Sequence, residues 1–135
     1  MVDGTLANSK IFLVEDHLAV CDALSIFLVT YGYRVKAYYS AEAFLEAEEE
    51  ATDGIMLLDQ RIQGMTGLEL QAELSRRGIA HPIIFIAGLP DGQIYVEAIK
   101  CGAAGFLKKP FSNEALLESI GAVFSKIDDS LRDFA

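Results

Sequence analysis

A chain of 135 residues fits one domain of ordinary size, and a chain this long buries roughly two-thirds of its unfolded surface, so it needs no disulfide or metal to fold. With 52% hydrophobic and 23% charged residues it is not a disordered tail. Lys plus Arg number 11 against 20 Asp plus Glu, and the formal charge of −9 repels phosphate backbones and anionic lipid, which argues against direct nucleic-acid or membrane binding.

The first ten residues lack an apolar core, and no later run approaches transmembrane length. Ile11-Phe12-Leu13-Val14 is a continuous apolar run, the pattern of a strand buried on both faces of a parallel sheet. Val20, Leu24, Phe27, Leu28 and Tyr31 follow at helical spacing, and Gly32 supplies a stop. Residues 33–38 carry Val35 and Ala37 among polar neighbours and predict an edge strand. Ser40 is an N-cap for a helix over residues 41–50. The acidic group Glu46, Glu48, Glu49, Glu50 and Asp53 reads as a solvated face. Ile55-Met56-Leu57-Leu58 is a second buried run, followed by a helix over residues 66–77 that ends at Gly78. His81 and Pro82 form a turn before the third run, Ile83-Ile84-Phe85-Ile86, and a helix over residues 91–101 ends at Gly102. Ala104-Gly105-Phe106-Leu107 is a weaker run. Ser112 then caps a last helix whose stripe is Leu116, Ile120, Val123, Phe124, Ile127 and Leu131.

Cys21 and Cys101 make neither a disulfide framework nor a ligand cluster. Each sits in an apolar helical pattern that predicts a small buried thiol, and a reducing cytoplasm is the default compartment.

Five strand–helix units in this order predict an α/β, flavodoxin-like (βα)5 three-layer sandwich with a parallel sheet in the order 2-1-3-4-5. One domain spans residues 1–135, with a core of about 9–126; residues 127–135 read as an extension of the last helix or as a linker. Functional groups in such sheets gather at the carboxyl ends of the strands, near the switch between the first and third.

Those ends are informative. The first run leads into Glu15-Asp16, the second into Asp59, the third into Ala87-Gly88, and the weak fourth into Lys108-Lys109-Pro110. Each acidic residue alone is most simply a solvated loop start. Three carboxylates brought to one edge repel unless positive charge sits among them. A divalent cation and a lysine solve that problem, and Mg²⁺, which prefers hard oxygen ligands and pairs carboxylates with a substrate phosphate, fits best. Asp59, ending a central strand, is then the candidate nucleophile towards a phosphoryl group, with Lys109 and the metal neutralising the transferring oxygens.

Val14-Glu15-Asp16, Leu58-Asp59, Gly64-Met65-Thr66-Gly67-Leu68-Glu69-Leu70 and Phe106-Leu107-Lys108-Lys109-Pro110-Phe111 resemble the signatures of response-regulator receivers of the CheY-like type. The resemblance covers about residues 10–124, and residues 61–74 are most similar to LuxR/FixJ-type receivers. It implies a two-component phosphoacceptor rather than an enzyme, with Asp59 phosphorylated by a sensor histidine kinase. It also implies Asp16 and Asp59 as direct Mg²⁺ ligands, Glu15 acting through water, and the backbone carbonyl of Arg61 completing the set. Lys109 becomes the phosphate-binding lysine, joined to Pro110 by a cis peptide. Output is implied through the face of the fourth helix, fifth strand and fifth helix, which carries Tyr95, as a homodimer contact or towards an output domain, fused or separate. No DNA-binding helix-turn-helix pattern occurs in these residues, which leaves open a piece of a longer regulator or a single-domain one.

Three positions depart from the family pattern. Ala87 replaces the Thr or Ser whose hydroxyl bonds the phosphoryl group, a bond worth roughly 1.5–3 kcal/mol. Its loss predicts a weakened switch, with Phe106, at the aromatic switch position, either a moving side chain or a plain core aromatic. Gln63 replaces a Pro, which predicts a less restrained loop. Gln60 replaces an aliphatic residue and reads as a solvated loop residue. These departures support an alternative, a phosphorylation-independent binding or dimerisation module. Two other classes fit poorly: Glu15-Asp16-His17 lacks the Asp-x-Asp of haloacid-dehalogenase-type phosphatases, and the turn there has no glycine-rich loop for a dinucleotide. His17 reads as a solvent-facing start of the first helix.

Overall fold

The computed structural model describes residues 10–47, 54–88 and 92–132. Within them strands and helices alternate as β1 (Lys10–Val14), α1 (Leu18–Thr30), β2 (Arg34–Tyr38), α2 (Ala41–Ala47), β3 (Ile55–Asp59), α3 (Gly67–Arg76), β4 (Ile83–Ala87), α4 (Gly92–Lys100), β5 (Gly105–Lys108) and α5 (Asn113–Arg132). All pairings are parallel and the sheet order is β2-β1-β3-β4-β5, the flavodoxin-like arrangement expected from the pattern.

The uninterrupted apolar runs become β1, β3 and β4 because both faces of these strands are covered. Alternate residues feed two cores. Phe12, Val14, Met56, Leu58 and Phe85 pack against Phe44, Leu70, Leu74 and Ala98 of α2, α3 and α4. Ile11, Leu13, Ile55, Leu57, Ile84 and Ile86 pack against Cys21 and Leu28 of α1 and Leu116, Ile120 and Val123 of α5. Each such large side chain stabilises the fold by roughly 1.5–3 kcal/mol. β2 is at one edge of the sheet, with Arg34 and Lys36 exposed and Val35 and Ala37 half-buried.

Capping chemistry sets where the helices begin and end. Ser40 Oγ accepts the Ala43 N–H at 3.0 Å and Ser112 Oγ the Ala115 N–H at 3.0 Å. Thr66 and Glu69 form a reciprocal capping box at the start of α3. Helix α1 closes on Gly32, at φ 94°, with Tyr33 N–H bonded to Leu28 O and Gly32 N–H to Val29 O. Helix α3 closes in the same way on Gly78, at φ 75°, a conformation that glycine adopts without steric cost.

Two expectations are corrected. The buried row of α1 runs through Cys21 and Leu28, with Leu24 and Phe27 packed beside it, whereas Val20 and Tyr31 are 37% and 53% exposed. Asp22 is the only charged residue of α1, so its hydrophobic pattern is broad enough to fit more than one face. Cys101 is exposed, because it follows the last residue of α4 and leaves the sheet-facing row that ends at Ala98. Ala37 and Val35 are only half-buried, in keeping with an edge position. Glu46 is exposed on α2; Glu48, Glu49, Glu50, Asp53, Asp91, Phe134 and the side chain of Leu131 lie outside the described residues.

Candidate functional site

β1 and β3 are neighbours with Val14 in register with Leu58, so Glu15 and Asp59 emerge side by side at the carboxyl edge of the sheet. Both are buried, at 4% and 3% exposure. Lys109 follows β5, and its backbone N–H donates to Ala87 O at 2.7 Å, holding that loop against the end of β4. Its Nζ lies 2.6 Å from Asp59 Oδ2 and 3.9 Å from Glu15 Oε1. The Lys109–Pro110 peptide is cis.

The remaining carboxylate oxygens also have partners. Asp59 Oδ1 accepts the Arg61 N–H at 2.9 Å, and Glu15 Oε2 accepts the His17 N–H at 3.1 Å. Burial, then the hydrogen bond with Asp59, pushes the Glu15 carboxyl up from 4.5 to about 7, against the opposing pull of the His17 N–H and the Lys109 charge. One ammonium therefore does not keep two buried carboxyl groups ionised, and Glu15 holds its proton unless further positive charge is supplied.

Glu15, Asp59 and Lys109 are thus brought together as expected. Asp16 is engaged elsewhere: its Oδ2 accepts the Gln63 N–H at 2.9 Å. Among the described residues, no three His, Cys, Asp or Glu side chains gather closely enough to hold a metal ion. The donor chemistry nevertheless fits a hard cation, because every candidate ligand is an oxygen and added positive charge would let both Glu15 and Asp59 ionise.

The loop after Asp59 corrects two expectations. Gln60 is not solvated but 8% exposed. Its Oε1 accepts the Leu68 N–H at 2.9 Å, its carbonyl accepts the Gly67 N–H at 2.9 Å, and its own N–H donates to Ile86 O at 2.9 Å. The glutamine thus ties the start of α3 to the ends of β3 and β4. A Cβ at Gly67 would stand 2.9 Å from Gln60 Oε1 and 3.0 Å from Asp59 O and Gln60 Cα. Gly67→Ala should lower stability by about 1–3 kcal/mol, read as a shift in the urea midpoint. Gln63, expected to loosen this loop, supplies a backbone donor that proline lacks and so adds a tether to Asp16.

Ala87 ends β4 at 4% exposure and offers no hydroxyl. Phe106 is half-buried, stacked 6.5 Å from Phe85 in the core and edge-on at 5.3 Å to Tyr95 of α4, which is itself half-exposed. It therefore bridges the core and the outer helix. His17 is the exposed N-cap residue of α1 and makes no side-chain cap bond. The His81 ring packs 4.9 Å from Phe12.

A family model for the response regulator receiver domain matches residues 11–121. The chain belongs to the response-regulator receiver family of two-component systems. This receiver is 39% identical over 117 residues to the transcriptional regulatory protein TdiR of Thauera aromatica, covering 87% of this chain and 52% of that protein. It is 44% identical over 113 residues to the response regulator protein TmoT of Ectopseudomonas mendocina, covering 84% and 51%. The receiver spans about half the length of these curated relatives. Among solved structures, FixJ-N superposes with a TM-score of 0.81 at 34% identity, covering 93% of this chain and 96% of that one. The response regulator StyR gives 0.84 at 33% identity, covering 93% and 64%.

Proposed function

We propose that this receiver takes a phosphoryl group on Asp59 from a sensor histidine kinase. The observation that carries the reading is the buried Asp59 carboxylate held 2.6 Å from Lys109 Nζ beside a second buried carboxyl group, Glu15. A carboxylate oxygen of Asp59 attacks phosphorus in line, the phosphorus–nitrogen bond of the donor's phosphohistidine breaks, and its imidazole leaves with the electron pair. Lys109 moves its ammonium from the carboxylate to the incoming phosphoryl oxygens, where negative charge accumulates. Mg²⁺, when bound by Asp16, Asp59 and the Arg61 carbonyl, with Glu15 through water, would neutralise the same oxygens. The product is an acyl phosphate, and the receiver assists only its own phosphorylation and dephosphorylation.

Output through the α4–β5–α5 face, to a second copy or to an output domain, is supported by the Phe85–Phe106–Tyr95 chain of ring contacts reaching the surface of α4. The relatives named as transcriptional regulators support a role in transcription control, with no nucleic-acid contact by these residues themselves. No helix among the described residues is long and apolar enough to cross a membrane. The free thiols of Cys21 and Cys101 agree with a cytoplasmic setting.

Incubation with acetyl phosphate and Mg²⁺ should add one phosphoryl mass to the wild type and none to Asp59→Asn, read by intact-protein mass spectrometry. Ala87 favours a second reading, in which the domain binds partners irrespective of phosphorylation. Absence of any mass gain at saturating donor would support that reading instead. Ala87→Thr restores the missing hydroxyl. It should enlarge the phosphorylation-dependent change in oligomeric state or Tyr95 fluorescence by roughly the tenfold that one charge-assisted hydrogen bond provides. An unchanged response in Ala87→Thr would mean that coupling does not run through that position.

A further inference from the structure

We infer that the Gln63 backbone N–H is a latch on Asp16, holding its carboxylate on the loop between β3 and α3 until a divalent cation takes it. This rests on the reading of Asp16 as a ligand in the phosphorylation site. Gln63 N–H donates to Asp16 Oδ2 at 2.9 Å, across 47 residues of sequence. With the carboxylate so engaged, no three acidic side chains of the described residues converge as a metal-holding group, although Glu15 and Asp59 already face one another. A carboxylate that accepts a backbone N–H has its charge partly satisfied, so a cation drawing Asp16 inward must offset that bond. The donor is main chain, so the side chain at position 63 is immaterial, with one exception: proline, which has no N–H to give. The latch is therefore a positioning device that sets cation affinity without being a ligand.

Isothermal titration of Mg²⁺ into wild type, Asp16→Asn, Gln63→Ala and Gln63→Pro tests it. Gln63→Ala should keep the wild-type Kd, and Gln63→Pro should bind about fivefold to tenfold more tightly, the scale of one hydrogen bond to a charged group at a partly exposed site. Asp16→Asn should bind Mg²⁺ more weakly than wild type by at least about tenfold. Should Gln63→Pro lose its native circular dichroism, amide hydrogen exchange in the wild type decides. The Gln63 amide should be protected without metal and exchange faster at saturating Mg²⁺, the reverse of ordinary ligand protection. A Gln63→Pro Kd equal to or weaker than wild type, or a Gln63 amide that slows or stays constant on Mg²⁺ addition, overturns the latch. An Mg²⁺ affinity that survives Asp16→Asn instead overturns the underlying metal-site reading, and with it the latch.

Discussion

Lys109→Ala should slow phosphorylation of Asp59 by acetyl phosphate about 10²–10³-fold, the loss that follows removal of one positioned donor to developing oxyanion charge. The fold should survive. The Lys109 side chain is 39% exposed, so water replaces much of what the ammonium provides to the resting protein. Quenched time points read by intact-protein mass spectrometry give the rate directly. The Mg²⁺ affinity of the same variant should not fall, because removing a positive charge from the pocket favours a cation. A rate equal to wild type would mean that the 2.6 Å contact with Asp59 is a resting salt bridge with no part in transfer.

The second large effect is a stability that falls as pH rises. Glu15 keeps its proton up to about 7 in the folded protein, against 4.5 for the ordinary carboxyl group. Below 4.5 both folded and unfolded chains hold that proton. Between 4.5 and 7 the unfolded chain has released it while the folded chain has not, so unfolding gains ground with each step in pH. Above 7 both are ionised and the full penalty is in place. The loss is on the order of 3 kcal/mol at most. Glu15→Gln removes the ionisable group, so the stability of the variant minus that of wild type should grow through this window and level off above it. Urea titrations of both proteins at pH 4.5 to 8 measure that difference. Mg²⁺ should restore wild-type stability at the alkaline end, because it binds only the folded site. Two parallel curves would show that Glu15 is not protonated in the native state.

The framework of this receiver was legible because its central strands are covered on both faces, and an unbroken run such as Ile83-Ile84-Phe85-Ile86 has few other ways to be buried. The convergence of Glu15, Asp59 and Lys109 follows from that framework, since all three flank adjacent or near-adjacent strand ends. What stayed hidden depends on contacts that side-chain patterns do not encode. The face of α1 was misread because one charged residue in thirteen leaves the stripe unmarked. Gln60 was misread because its partners include the main chain of Gly67 and Leu68 at the start of α3, and only the folded loop brings those N–H groups to it. The tether from Gln63 to Asp16 uses a backbone donor that any residue but proline carries, so its signal was the absence of proline, not the presence of glutamine.

The edge strand β2 carries Arg34 and Lys36 outward on an otherwise strongly acidic chain. A second copy approaching strand to strand would bring its own guanidinium and ammonium groups against these, and like charges would meet before any ladder of amides could form. The β2 edge is thereby discouraged from extending the sheet sideways into fibrils.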